Sequence, residues 1–253
     1  MSRGLPTISA VMPAHNEEAY LRASVGRVIA GLGERGEPFE VVICENGSTD
    51  ATAAVGAALA EEHPEVRLLH LPTADYGLAL RTGLLAATGE LVVNFDVDLV
   101  DFGFLDAALA LAEKEPEVTI VVGTKRGPGA EDQRGIGRRT VTAVFSLVLR
   151  RGFGLRVSDT HGLKLLRRAP LVELAEKCRF GAEIFDTELI LRAERAQLEV
   201  VEIPVRVADQ RPPRTSIARR IPRTLLGLTR LRVVLWQEGR TGAPGAARSA
   251  DST

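Results

Sequence analysis

A chain of 253 residues with 45% hydrophobic content holds enough apolar material for one large α/β domain or two small ones. Its formal net charge of -1 gives no general reason to expect a nucleic-acid partner. The two cysteines, Cys44 and Cys178, show neither a metal-ligand spacing nor a disulfide framework, which points to a reducing cytoplasm.

Ile8 to Met12 reads as a short strand ended by Pro13. Pro13-Ala14-His15-Asn16-Glu17-Glu18 then opens a helical pattern with Leu21, Val25, Val28, Ile29 and Leu32 on one face. Asn16 suits an N-cap, and Glu17 and Glu18 suit the positive end of that helix. The other reading is a loop that contacts a base or a ribose. Phe39 to Cys44 is the second strand, running into Glu45-Asn46-Gly47-Ser48-Thr49-Asp50. Gly47 permits a tight turn, Ser48 or Thr49 can cap a helix from near Ala51, and Glu45 is a spare acceptor at the sheet edge. Val66 to Leu71 is the third strand. Asp75-Tyr76-Gly77 leads to a helix over Leu78–Thr88, whose Arg81 is within reach of a phosphate, and Gly89 breaks it.

The fourth strand, Leu91 to Phe95, runs out into Asp96 and Asp98. Residues two apart on an extended segment point the same way. Ligands of open parallel sheets bind beyond the carboxyl ends of the strands, where such a pair suits Mg2+ or Mn2+. The plainer reading is two solvated loop acids or an N-cap. The alternation of strands and helices predicts a mostly parallel sheet with helices on both faces.

Arginine is concentrated in the second half. Ile136–Leu155 and Ile217–Trp236 both interleave apolar and basic residues, the pattern of helices that lie in a lipid headgroup plane. Packing on the rest of the chain or on a second subunit is the alternative, which leaves a homodimer open. No signal peptide is visible, and no apolar run approaches the ~20 residues that span a bilayer. The expectation is a cytoplasmic protein, soluble or peripheral on the inner membrane face. Gly239–Thr253 reads as a disordered tail. His63, His70 and His161 show no metal spacing, and Cys44 reads as a core residue.

Three stretches, in order, resemble family-2 glycosyltransferases of the glycosyltransferase-A fold. Val11-Met12-Pro13-Ala14-His15-Asn16-Glu17-Glu18 is similar to that family's V-x-P-x-Y-N-E-E, and Glu45 to Thr52 to its D-D-G-S-T-D-x-T. Ala79-Leu80-Arg81-Thr82-Gly83, Gly89-Glu90 and Asp96-Val97-Asp98-Leu99 resemble A-L-R-T-G, G-D and D-A-D-L. Further on, Asp159-Thr160-His161-Gly162-Leu163-Lys164-Leu165 resembles, with one residue fewer before the glycine, the D-T-x-x-G-F-K-L of polyprenyl-phosphate (dolichyl-phosphate) glucosyl- and mannosyltransferases. Arg179-Phe180, Phe185-Asp186-Thr187-Glu188-Leu189 and Glu202-Ile203-Pro204-Val205 match that group's R-x, F-D-x-E-L and E-x-P-V. His15 replaces tyrosine, Glu45 and Asn46 an aspartate pair, and Asp75-Tyr76-Gly77 a common G-K-G. Gln210 to Ser216 stands where relatives often carry R-x-x-G-x-S-K.

The resemblance implies an inverting, metal-dependent transfer of a hexose from UDP-glucose, GDP-mannose or a similar donor to a polyprenyl phosphate. A hydroxyl of a soluble acceptor is the alternative. It implies Pro13, Ala14, Asn16, Glu17, Glu45, Asn46, Arg81 and Asp96 around the donor, with Asp96 and Asp98 on Mg2+ or Mn2+. Asp98, Asp186 and Glu188 are the implied catalytic residues, and Asp159, Lys164, Arg179, Arg211 and Arg214 the acceptor contacts. Residues 1–216 are then the catalytic domain, with a nucleotide-sugar half over 8–100 and an acceptor half over 101–216. A basic amphipathic helical segment follows over 217–238. A phosphohydrolase with an Asp-X-Asp nucleophile is disfavoured because the motif follows the fourth strand, not the first. A sugar-nucleotide pyrophosphorylase would need a Gly-rich, Arg-bearing loop after strand one. A degenerate, sugar-nucleotide-binding scaffold subunit is a further rival.

Overall fold

The computed structural model describes residues 7–124, 131–132, 147–157, 160, 162–181, 184–207 and 217–241. At 131–132, 206–207, 217–223 and 239–241 it describes backbone alone. The chain divides into a unit ending at Arg214 and a second unit from Thr215.

In the first unit the strands β1 (Ile8–Ala14), β2 (Phe39–Asn46), β3 (Val66–Leu71) and β4 (Leu91–Asn94) alternate with helices α1 (Leu21–Gly33), α2 (Thr52–Glu62) and α3 (Tyr76–Ala86). Then come α4 (Phe102–Lys114), β5 (Val118–Thr124), the two-residue β6 (Glu131–Asp132) and a helical stretch α5 over 147–153. The remaining elements are β7 (Lys164–Arg167), α6 (Arg168–Lys177), α7 (Phe185–Arg195), β8 (Glu199–Pro204) and the short β9 (Arg206–Val207), which pairs with β6. Seven strands form one sheet in the order β3-β2-β1-β4-β7-β5-β8. All are parallel except β7, which runs antiparallel between β4 and β5. The expected mostly parallel α/β architecture is present.

Side-chain parity divides the sheet into two apolar faces. Ile8, Ala10, Met12 and Ala14 of β1 join Leu21, Val25 and Val28 of α1 and Phe104, Leu105 and Ala108 of α4 in one core. On the opposite face Val11 and Val92 meet Leu80 and Leu84 of α3 and Phe185 and Leu189 of α7. Gly83 lets α3 approach closely, for a Cβ there would lie 2.3 Å from Val11 Cγ1 and 2.8 Å from Cys44 Sγ. Cys44 is a buried core residue, as expected, and burial pushes its thiol up to about 12.

Several boundaries differ from those read in the sequence. β1 continues through Pro13, which sits opposite Cys44 of β2. Val11 shares the parity of Pro13, and its carbonyl accepts from Phe95 N on the β4 side. β4 pairs no further than Val11↔Asn94, so the missing Pro13 N–H forfeits no ladder bond there. The third helix starts at Tyr76 because Asp75 caps it, accepting from Leu78 N at 2.8 Å. β4 stops at Asn94, and Asp96 to Leu99 forms a turn closed by Leu99 N to Asp96 O at 2.9 Å. The extended-strand parity predicted for Asp96 and Asp98 therefore does not hold.

The described residues of the second unit form one helix, α8 (Ile217–Thr241), three residues longer than the predicted 217–238 segment. Of the predicted Ile136–Leu155 stretch, residues 136–146 lie outside the described residues, as does the tail beyond Thr241.

At the end of the sheet away from the fourth-strand acids, Glu40 ties four segments together. Its Oε1 accepts from Ser9 Oγ (2.6 Å), Thr88 N (2.6 Å) and Thr88 Oγ1 (2.8 Å), and its Oε2 from Arg67 Nη1 (2.9 Å). Burial opposes ionisation of Glu40, yet these donors hold its carboxyl below the usual range. Glu40→Gln is expected to cost about 2 kcal/mol, because hydrogen bonds to a charged acceptor are replaced by weaker ones. A folded-state pKa below the unfolded one stabilises fully above about pH 4.3 and is lost as pH falls through the folded value. Urea unfolding from neutral to acid pH should show the wild type's advantage over Glu40→Gln shrinking in acid.

Candidate active site

The loops after β1 and β2 are stapled to each other. Asn16 is not an N-cap: it lies at φ 54, four residues ahead of Tyr20, which precedes α1. Its Oδ1 accepts from Thr49 N at 2.8 Å, and its own N–H donates to Ser48 Oγ at 3.0 Å. Glu17 N donates to Thr52 Oγ1 (2.7 Å), and Glu18 Oε2 accepts from Ala51 N (2.8 Å). Ser48 and Thr49 therefore serve the facing loop instead of capping α2, while Asp50 Oδ1 accepts from Thr52 N at 2.9 Å. Gly47, at φ 64, packs so closely on Thr73 and Ala74 that a Cβ would sit 2.8 Å from backbone.

Pro13 and Ala14 are buried strand residues at this edge. Glu45, expected as a spare acceptor, is fully buried and committed. Its Oε1 accepts from Ser48 N at 2.6 Å, and its Oε2 pairs with Nδ1 of the exposed His70. Burial opposes its charge, but these partners outweigh it and lower its pKa. The Asn46 amide, oriented to suit its neighbours, donates to Ala14 O (2.8 Å) and accepts from Asp75 N (3.2 Å). His15 Nδ1 donates to Asn46 O at 2.8 Å.

Beyond β4 lies the charged centre. Asp96, partly buried, accepts from the Tyr76 hydroxyl at 2.7 Å. Burial raises the Asp96 pKa, the Tyr76 bond opposes that, Asp98 raises it further, Lys164 lowers it and Asp186 raises it. The neighbouring acids Asp96, Asp186 and Asp98 hold the phenol of the exposed Tyr76 protonated. Mutual electrostatic influence thus puts Tyr76, Asp96, Asp98, Lys164 and Asp186 in one neighbourhood. Lys164 and Asp186 form a buried ion pair at 3.0 Å, with Lys164 Nζ also donating to Gly162 O at 2.9 Å. Lys164 sits across from Asn94 in the β4–β7 ladder, and Oδ1 of Asn94 is buried with no hydrogen-bond partner among the described residues. Lys164, expected to contact an acceptor, is engaged inside the protein.

The Glu188 carboxylate is likewise occupied. Its Oε2 accepts from Arg179 N (2.9 Å) and Phe180 N (3.0 Å), and its Oε1 from Arg192 Nε (2.9 Å) and Nη2 (2.8 Å). Glu188 thereby shapes the α6–α7 loop and leaves the Arg179 side chain exposed. Arg81 is tied to the carboxyl end of α6, donating to Ala175 O and Glu176 O at 2.8 Å each. This satisfies helix-end carbonyls and diverts Arg81 from the phosphate contact expected of it. Asp159, Arg211 and Arg214 lie outside the described residues.

The structure thus gathers Asp96, Asp98, Lys164 and Asp186, keeps Glu45, Asn46 and Asn16 in the adjoining loop staple, and places Glu188 and Arg81 in supporting roles. The sequence reading missed Tyr76, Asn94 and the His70–Glu45 pair. Among the described residues no group of three or more His, Cys, Asp or Glu side chains is placed to hold a metal. Two neighbouring carboxylates remain, the donor set of a hard cation that takes its other ligands from water and phosphate.

An open sheet with β1 and β4 side by side, loops stapled at their carboxyl ends and a carboxylate pair beyond β4 defines a nucleotide-sugar type of α/β protein. The chain belongs to glycosyl transferase family 2, whose profile matches residues 9–174. It is 29% identical over 215 residues to a dolichyl-phosphate beta-glucosyltransferase of Trichomonas vaginalis, covering 78% of this chain and 64% of that one. The chain therefore spans under two thirds of that relative's length. An uncharacterized glycosyltransferase of Mycobacterium tuberculosis is 30% identical over 221 residues, covering 87% of this chain and 92% of its own. Among solved structures, glucosyl-3-phosphoglycerate synthase from Mycobacterium tuberculosis, in complex with Mn2+, UDP and glucosyl-3-phosphoglycerate, superposes with a TM-score of 0.61 at 24% identity. That match covers 82% of this chain and 73% of the other. The fold is glycosyltransferase-A, as the sequence motifs implied.

The buried ion pair yields a prediction. Lys164→Met leaves Asp186 unpaired and is expected to cost about 3–5 kcal/mol. Lys164→Met with Asp186→Leu should recover most of that loss, as judged by urea unfolding midpoints at neutral pH.

Proposed function

We propose that the protein is a metal-dependent, inverting hexosyltransferase that moves a sugar from a nucleoside diphosphate to a polyprenyl phosphate. The donor's anomeric C–O bond to diphosphate breaks as an acceptor phosphate oxygen bonds to the same carbon from the other side. Asp96 and Asp98 would hold a divalent cation, whose chemistry there would be Lewis-acid stabilisation of the departing diphosphate. The stapled loops of Pro13–Glu17 and Glu45–Asn46 frame the nucleotide, and Glu45 does so through the shape it gives its turn.

The observation that carries the acceptor assignment is the Lys164–Asp186 pair. A hydroxyl nucleophile needs a base within hydrogen-bond reach. Asp186, the candidate carboxylate among the described residues, is buried and neutralised by Lys164 at 3.0 Å. A phosphate monoester has its second pKa near 6, so at neutral pH it is a nucleophile without such help. The Trichomonas relative, a dolichyl-phosphate beta-glucosyltransferase, favours the same acceptor and a glucosyl donor. A hydroxyl of a soluble acceptor is the second reading, favoured by the phosphoglycerate enzyme among the structural neighbours. We assign residues 1–216 to catalysis and Arg179, Arg211 and Arg214 to the acceptor's charge.

A membrane surface is the partner that a polyprenyl phosphate brings with it. No helix among the described residues is long and apolar enough to cross a membrane. In α8, Leu228, Leu231 and Leu235 are buried, whereas Leu225, Leu226, Val233 and Trp236 are exposed beside the exposed Arg230 and Arg232. At 100° per residue the exposed apolar four fall on one side of the helix, so the outer stripe is the lipid-facing candidate.

Purified protein with Mg2+ or Mn2+ and UDP- or GDP-sugars is expected to glycosylate polyprenyl phosphate and not polyprenol or soluble alcohols. Asp98→Asn should fold normally yet lose about a hundredfold or more of this transfer, the scale of removing one charge-stabilising group. Brisk transfer to a soluble hydroxyl, with an acid limb of the pH profile that disappears in Asp186→Asn, establishes the second reading instead. Flotation on anionic liposomes should succeed at low salt and weaken when Arg219, Arg220 and Arg223 become Ser, since each basic residue is worth roughly 1 kcal/mol at such a surface. Failure to float on any lipid reassigns the stripe to subunit packing.

A further inference from the structure

We propose that Tyr76 is a positioning residue for the donor half of the site: its hydroxyl commits one oxygen of Asp96 to the protein and leaves the other for ribose or cation. This rests on the assignment of Asp96 and Asp98 to the metal and diphosphate. Asp96 does not sit on an extended strand that would aim it. It opens a four-residue turn after β4 has ended, and in a turn the backbone alone does not fix the carboxylate. The Tyr76 hydroxyl does so at 2.7 Å, and a carboxylate only accepts, so the phenol is the donor.

Tyr76 is itself aimed from a rigid corner. It is the first residue of α3, directly after Asp75, whose side chain caps that helix through Leu78 N. Asp75 N donates to the Asn46 amide, which also holds Ala14. The α6–α7 loop closes on the same corner at Gly181, where a Cβ would fall 2.3 Å from Asp75 Oδ2. One aromatic side chain therefore connects the ends of β1 and β2 and the α6–α7 loop to the turn after β4. Tyr76 thus gives Asp96 a hydrogen-bond donor without adding a charge.

The test measures binding as well as turnover, on the full chain. Mn2+ affinity in the presence of UDP or GDP is read by electron paramagnetic resonance, and donor KM and kcat are read by transfer or donor hydrolysis. The Tyr76→Phe variant keeps the ring and is expected to melt with the wild type. It should bind Mn2+ with nucleotide about tenfold more weakly and raise donor KM similarly, with kcat changed by no more than about twofold. The Tyr76→Lys variant, which restores a donor to Asp96, should recover part of the affinity. Wild-type or tighter binding by Tyr76→Phe, while Asp98→Asn abolishes binding, overturns the role of Tyr76 alone. Absence of nucleotide-dependent Mn2+ binding by the wild type overturns the metal assignment and this proposal with it.

Discussion

The site depends on one buried ion pair. Lys164 and Asp186 face each other at 3.0 Å between β7 and α7, both almost fully withdrawn from water. Charges removed from water persist only when paired and hydrogen-bonded, and Lys164 meets that condition through Asp186 and the Gly162 carbonyl. The reversed strand makes the pair possible. β7 runs against β4, so Lys164 lies opposite Asn94, two residues before the Asp96 turn. A parallel strand there would carry its first residue to the far end of the sheet. The reversal that interrupts the parallel order thus delivers a cation beneath the acidic edge, and its partner on α7 consumes most of that charge.

Around this pair, many acidic residues at the carboxyl edge serve the protein and not a ligand. Glu45 shapes its own turn, Glu18 and Asp50 knit the first two loops together, and Glu188 holds the loop before α7. Buried carboxylates that accept several N–H bonds are held ionised and fixed in place, which makes them good struts and poor bases. A motif rich in acids can therefore be mostly scaffolding, with few of its members left for chemistry.

The fold was legible because strand and helix periodicity repeats cleanly through α4, and the core residues of β1, β2, α1 and α4 follow it. What failed were inferences about single side chains. Asn16 and Ser48 have the chemistry of N-caps, yet each found a partner on the facing loop, a contact between residues about thirty apart that periodicity does not encode. Parity put Asp96 and Asp98 on one side of a strand, but the chain had already turned at Asn94. The resemblance implied ligand contacts for Arg81 and Lys164, and in the structure helix-end carbonyls and Asp186 engage them. Tyr76 went unnoticed because its signal was a departure from a resembling motif, and a departure names a position without naming its partner.

Charge balance links these observations to the chemistry. Asp96, Asp98 and Asp186 share one neighbourhood, and burial works against the ionised form of Asp96. Lys164 neutralises Asp186, and Tyr76 contributes a hydrogen bond but no charge, so the cluster keeps an excess near two negative units. Asp96 and Asp98 would hold a divalent cation that offsets that excess, and in the proposed transfer it would supply countercharge to the leaving diphosphate. Under the proposed phosphate acceptor, a dianion approaches an edge that is acidic until metal and donor are in place. Its attraction has to come from cations outside the acidic cluster, and the exposed Arg179 beside the α6–α7 loop is held there by the backbone bonds that Glu188 accepts. In that reading Glu188, fully buried and bonded to the Arg179 and Phe180 N–H groups, bears on the acceptor only by fixing where Arg179 leaves the chain.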